Sequence, residues 1–311
     1  MNIKKRYFKI GSKQKRKTKV EKSPYFLLAP GMIIIFIFVL LPIFLAIFLS
    51  ITDISLLGMR NLNFNFVGID NYSKFLTSAD FRTVIWSTIF FVIGSVFLSY
   101  TIGMLVAVLL NQKIRALPLF RGLLILPWAV PQVVVSIIWK WMINPQYGII
   151  NYIGHKFGLI PEGFSFLGHP QFAMITILIT IAWRSYPLSA VMLLAGMKTI
   201  PEELYEAASI DGASPMQRFL HITIPGLRYI TSVLILLLTI WSIGNFIFIW
   251  VMTQGGPANN TAILAIFSYL SAFKFGKLGY GAAIGVIALM VSLIVSVIYY
   301  KVFMQKAEDE K

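Results

Sequence analysis

Apolar residues come in long blocks set apart by short polar stretches, and the length of each block decides its meaning. About 20 predominantly apolar residues carry a helix across a bilayer core, and six stretches reach that length: 25–51, 84–110, 119–143, 172–197, 229–252 and 281–303. The pattern predicts an all-α polytopic membrane protein with six transmembrane helices. Its organisation is a basic tail over 1–23, a transmembrane domain over 24–304 with a polar loop at 199–227, and a short tail over 305–311.

Residues that break or crowd helices sharpen this picture. Pro30 and Pro42 predict a kink in the first block. Gly94, Ser95, Ser99 and Gly103 in the second, and Gly281 to Gly285 at the start of the sixth, are small enough to let helices approach closely. In the third, Pro127 and Pro131 each delete one backbone bond, so the break between them must be buried in protein or face a water-filled path. The fourth block carries Arg184 in Trp183-Arg184-Ser185-Tyr186-Pro187. A charge at membrane depth costs about 2.5–3.5 kcal/mol on insertion scales and faces a cavity or the bundle interior. Arg184 therefore either lines a solute path or satisfies carbonyls freed by Pro187.

The polar loop, KTIPEELYEAASIDGASPMQRFLHITIPGL over 198–227, spells two short helices. Thr199 and Glu202 have the spacing of a capping box with Pro201 in the first turn, and Ser214, Pro215 and Gln217 repeat it. Gly212 supplies the corner, and Pro225 marks the end of the second helix. Both helices fall short of the roughly 12–15 residues that stand alone in water, so they are expected to lie against another protein. Elsewhere Phe66 to Tyr72 reads as a tight turn at the membrane surface, and Thr253-Gln254-Gly255-Gly256-Pro257 as a turn leaving the fifth block. Lys140, between Trp139 and Trp141, is placed to snorkel outward.

The formal net charge of +15 raises the question of acidic partners, and its distribution answers it. With the N-terminus inside, the inner segments hold 19 Lys and Arg and the outer loops hold 6. The positive-inside rule then puts both termini and the 199–227 loop in the cytoplasm, so the charge sets topology and no nucleic-acid partner is needed. The tail, with Tyr7, Phe8 and Ile10 among its basic residues, is either a disordered topology determinant or an interfacial segment on anionic lipid. The apolar run after it is too long for a signal-peptide core and lacks a small-residue cleavage site, which reads as a retained signal-anchor.

Catalytic chemistry is absent from the pattern. There is no cysteine, the histidines His155, His169 and His221 lie scattered in loops, and no phosphate-cradling G-x-x-x-x-G-K-[ST] loop occurs. The carboxylates lie in loops, tails or, like Asp53, at a span edge. Ion-coupled carriers place an ionisable group within the membrane, so the driving energy is expected from a docked motor rather than from an ion gradient.

The segment Glu206-Ala207-Ala208, three residues, Gly212, nine residues, Ile222-Thr223-Ile224-Pro225 resembles the EAA loop of ABC-importer permeases, with Ile224 where leucine is usual. Phe66 to Tyr72, Trp139 to Asn151 and Thr253 to Pro257 are similar to segments of the carbohydrate branch of that family. The resemblance implies a type I importer permease fold in the cell membrane, and a non-catalytic subunit that binds no cofactor. ATP and Mg would be held by partner ATPase subunits. It further implies a second permease subunit, two ATPases, an extracytoplasmic substrate-binding protein and a sugar as cargo. An anionic solute such as glycerol phosphate is the nearer alternative, and an ion-coupled secondary carrier the more distant one. Glu206, Ala207, Ala208, Asp211 and Gly212 would couple to the ATPase. Aligning the Trp183 to Pro187 and Gly-Gly-Pro anchors on the maltose-type permease carries its sugar positions to Ser185, Leu188, Trp241, Ser242 and Asn245, with Arg184 beside them. That permease has extra N-terminal helices and a large external domain, so docking of the binding protein here is expected to use short loops.

Overall fold

The computed structural model describes residues 23–61, 63–112 and 117–301, and the side chains of 27–61, 63–112 and 122–301. The expectations for the N-terminal tail, the Lys113 and Arg115 turn and the C-terminal tail lie outside the described residues. Chain contacts divide it into two units, 1–45 and 46–311. In the first, α1 (Ser23–Ile35) passes through Pro30 into a π-helical turn, Phe36–Leu40, and on into α2 (Leu41–Ser50). Leu41 N–H reaches back five residues to Phe36 O, directly ahead of Pro42, which has no N–H to give. The expected proline kink thus takes the form of a widened turn. None of residues 27–49 is buried, a surface that only lipid or another chain can cover.

The second unit is built on two long parallel helices, α4 (Ala79–Leu110) and α8 (Pro170–Met197). Gly94 faces Leu178 and Gly103 faces Ser189 so closely that a Cβ on either glycine would clash, which is the close contact their spacing predicts. Between these helices in sequence come α5 (Leu117–Ala129), α6 (Gln132–Met142) and α7 (Ile149–Lys156). After α8 follow the polar loop, α12 (Arg228–Ile243), α13 (Ile247–Met252), α14 (Leu264–Tyr269) with a π-helical turn at Leu270–Lys274, and α15 (Leu278–Tyr299). At the opening of α15, Gly281 meets Ala272 and Ser268 as the small-residue face requires.

Among the described residues four helices are long and apolar enough to span a membrane, and counting each of two bent pairs as one span brings the number to six. The third block is one such pair: α5 runs through Pro127 to Ala129 and meets α6 at 96° across Val130 and Pro131, so the break lies at the second proline and not between the two. The fifth block departs from the single helix expected over 229–252. α12 stops at Ile243, and α13 starts at Ile247 after three intervening residues. Gly244 and Asn245, both poor helix formers, cause the interruption without any proline. Asn245 N–H turns back to Ser242 O at 3.1 Å instead of extending the helix.

Two buried asparagines close helix ends at the rim. Asn71, in the Phe66 to Tyr72 segment, donates its amide to Ser50 O (2.9 Å) and Thr52 O (2.8 Å), carbonyls left open where α2 ends. The tight turn expected there is present, with Gly68 at positive φ and α3 (Asp70–Leu76) following. Asn151 likewise donates to Ile143 O (2.7 Å) just beyond α6. The Lys140 ammonium, expected to reach outward, ends on Val251 O at 3.3 Å beside the end of α13.

Candidate functional site

The 198–227 loop folds as an elbow of α9 (Glu202–Ile210), α10 (Pro215–Arg218), a π-helical turn at Phe219–Thr223 and α11 (Ile224–Gly226). Gly212 has φ +78° with open space around its Cα, so its requirement is conformational rather than steric. It closes α9 as a Schellman cap: Ala213 N–H reaches Ala208 O (2.8 Å) and Gly212 N–H reaches Ser209 O (3.1 Å). The Ser214–Gln217 capping box is complete, with Gln217 N–H on Ser214 Oγ and Ser214 N–H on Gln217 Oε1.

Two expectations fail here. Thr199 does not cap α9; its hydroxyl donates to Gly196 O at the end of α8, and Pro201 opens α9 without a side-chain cap. The second helix does not stop before Pro225 either. The π turn, in which Ile224 N–H reaches Phe219 O, widens the helix where proline lacks a donor, and the helix runs on to Gly226 before bending 68° into α12.

Two side-chain ties hold the arms of the elbow together: Tyr205 Oη with Thr223 Oγ1 (2.9 Å) and Arg218 Nη1 donating to Ser209 Oγ (2.5 Å). Glu206, Ala207, Asp211 and Gly212 are exposed and Ala208 is half-buried, while Ala208, Asp211 and Gly212 border a concavity of about 300 Å³ with Arg218 and His221. Ile210 is 87 % exposed. A large apolar residue beside Asp211-Gly212 in a polar loop is a signal, visible in the sequence, of a covered face.

The substrate residues inferred from the sequence converge on one cavity. Arg184, Ser185, Trp241, Ser242 and Asn245 line a space of about 550 Å³ between α6, α8, α12 and the α12–α13 break. Leu188, one turn further along α8 and half-buried, is not in the lining. Ser95, Ser99, Trp128, Gln132 and Phe246 complete the polar and aromatic wall. Gln132 was legible as the first residue past a double-proline break; Phe246 was not, because the break that exposes it carries no proline. Ser95 and Ser242 share a hydrogen bond of 2.7 Å that ties α4 to α12.

Arg184 Nε donates to Val130 O at 3.3 Å. The carbonyl it serves belongs to the α5–α6 break and is not one freed by Pro187, so that half of the alternative is corrected, and the guanidinium also faces the cavity. Trp241 is 52 % exposed, and Asn245 Oδ1 is buried with no hydrogen-bond partner among the described residues.

Residues 99–308 match the model of the binding-protein-dependent transport system inner membrane component family. The chain belongs to this family. It is a multi-pass membrane permease component of an ABC importer and not an enzyme. The trehalose/maltose transport system permease protein MalF of Thermococcus litoralis is 32 % identical over 93 % of this chain and 96 % of its own. The sulfoquinovosyl glycerol transport system permease protein SmoG of Agrobacterium fabrum is 31 % identical over 90 % of each. In fold, the permease superposes with a TM-score of 0.78 at 20 % identity on a chain of a bacterial ABC transporter that imports the acidic polysaccharide alginate, covering 91 % of this chain and 95 % of that one.

Proposed function

We propose that this permease carries a saccharide through the cavity at the α12–α13 break and is driven through the elbow by an ATPase. The observation that carries the cargo reading is the lining itself. Trp128, Trp241 and Phe246 offer ring faces to the C–H faces of a sugar, and Ser185, Ser242, Gln132 and Asn245 offer hydrogen bonds to its hydroxyls. The named cargo of the two relatives points the same way, since both are sugars or glycosides.

In the working cycle the elbow and both termini are cytoplasmic, in a cell or inner membrane. A second permease subunit completes the path as a heterodimer, two ATPases hold ATP and Mg, and an extracytoplasmic binding protein delivers the solute. Glu206 pairs with a basic group on the ATPase, Ala207 and Ala208 allow close approach, Ile210 is covered on docking, and Asp211 and Gly212 form the corner. Closure of the motor moves the elbow, and α8 and α12, rooted in it, turn the cavity from one face to the other.

A second reading is favoured by Arg184, and by the sulfonate on the named cargo of SmoG: an anionic solute whose charge meets the guanidinium. The discriminating experiment purifies the chain with its co-purifying partners, identifies them by mass spectrometry, and measures solute-stimulated ATPase in liposomes. Trehalose, maltose, maltotriose, sulfoquinovosyl glycerol and glycerol 3-phosphate serve as solutes. Stimulation by a neutral saccharide supports the first reading; stimulation only by the anionic solutes, sulfoquinovosyl glycerol or glycerol 3-phosphate, replaces it with the second.

A further inference from the structure

Next to the cavity stand four aromatic rings that the sugar positions carried over by resemblance do not include. Phe246, a cavity-lining residue, stacks on Trp250 at 5.4 Å between ring centroids. Tyr269 meets Phe246 at 5.0 Å and Trp250 at 4.8 Å, and Phe273 meets Tyr269 at 5.0 Å. The series therefore leads without a gap from the cavity along α13 and α14 toward Lys274. That direction is toward the rim opposite the elbow. The segment joining α13 to α14 is tied to the start of α4 by Asn259 Nδ2 on Asp80 and by Ser87 Oγ on Asn260 O, whereas the elbow follows the far end of α8, which runs parallel to α4.

The way α14 is packed separates this series from ordinary core. Leu264, Ile266, Phe267, Leu270, Ser271 and Ala272 are buried, yet Tyr269 is 36 % exposed and Phe273 is 55 % exposed on the one face left open. The helix opens into a π turn at Leu270–Lys274, between these two rings, a distortion that recurs at functional sites. The Tyr269 hydroxyl has no hydrogen-bond partner among the described residues.

We infer that Phe246, Trp250, Tyr269 and Phe273 form an aromatic track along which the saccharide passes, ring face on ring face, between the rim and the cavity. The inference rests on the carbohydrate reading above. Rings bind the apolar faces of a sugar without fixing its hydroxyls, so a row of them holds the solute while letting it move; the polar groups that fix orientation wait in the cavity. A longer saccharide spans more of the rings at once and depends on them more.

The test uses the intact complex in liposomes with trehalose, maltose, maltotriose and sulfoquinovosyl glycerol, comparing Phe273→Ala, Tyr269→Leu and Phe273→Tyr with the parent. Size-exclusion chromatography checks that the second permease stays bound. In the aromatic-deleted variants kcat/KM for uptake falls about tenfold, as loss of a ring contact predicts. Among saccharides of one series the loss is larger for maltotriose than for maltose, and Phe273→Tyr restores it. Unchanged kinetics in both deleted variants, or shedding of the second permease, overturns the track. If the parent imports none of the four solutes, the carbohydrate reading fails and takes the track with it. If the parent imports one and the variants match it, only the track fails.

Discussion

At the elbow, exposed over most of its length, hydrogen-bonding side chains are tied to one another: Ser214 with Gln217, Arg218 with Ser209, Tyr205 with Thr223. In the cavity, deeper in the protein, Asn245 Oδ1 has no partner and Trp241 is half uncovered. Stability alone would favour the reverse, because water satisfies exposed groups at little cost while a buried unpaired acceptor costs about 1–3 kcal/mol. The elbow's bonds therefore matter for shape: they keep two short helices, too short to persist singly, at one angle. The cavity keeps its capacity for a ligand by leaving groups unspent.

Making the elbow lose its angle is the strongest way to break this contrast. Gly212→Val puts a β-branched residue at φ +78°, where no steric contact is added and only the backbone suffers. Solute-stimulated ATPase is expected to fall to background while the protein still inserts and keeps its cavity. Coupling that survives unchanged removes the corner role.

The cavity is probed by two replacements that leave its frame in place. Trp241→Ala removes a half-exposed ring and is expected to lower uptake kcat/KM by about tenfold to a hundredfold. Asn245→Leu, similar in volume, deletes an acceptor that nothing in the described residues uses. The stability of the variant is expected to be equal or higher by about 1 kcal/mol, read from thermal melting, with uptake reduced. A stable variant that transports normally would make Asn245 a packing residue and not a ligand of the sugar.

How far the sequence reached follows the same division. The Ser214 box, the Gly212 corner and the third-block break were legible because caps, positive-φ glycine and proline act through neighbours in the chain. Of the five proposed residues that line the cavity, Ser185, Trp241, Ser242 and Asn245 were found through a family resemblance, and Arg184 through the cost of a charge at membrane depth; periodicity singled out none of them. Three things were not legible. Thr199 had the spacing of a cap, but the last turn of α8, which ends at Met197, claims the hydroxyl for Gly196 O. The fifth block is apolar enough on average to read as one span, so the interruption that Gly244 and Asn245 cause left no trace in its hydropathy. Arg184 looked local to Pro187, yet its partner is Val130, 54 residues away.

The mildest perturbation tests whether shape alone is what the elbow's ties supply. Ser209→Ala removes the Arg218 contact, and Tyr205→Phe removes the hydroxyl bonded to Thr223; each bond is worth about 0.5–1.5 kcal/mol, less for the exposed one. If the ties serve fold stability, the two losses add in the melting temperature and coupling follows in proportion. If they serve angle, either tie alone still holds the two arms, because three points of closure remain: the other tie, the Gly212 cap and the Ser214 box. Each single variant is then expected to keep coupling, as solute moved per ATP, within about twofold of the parent. The double variant should lose more than the product of the two singles, the signature of residues acting as one unit. Equal, additive losses would show that the arms move independently and that the elbow is not a rigid lever.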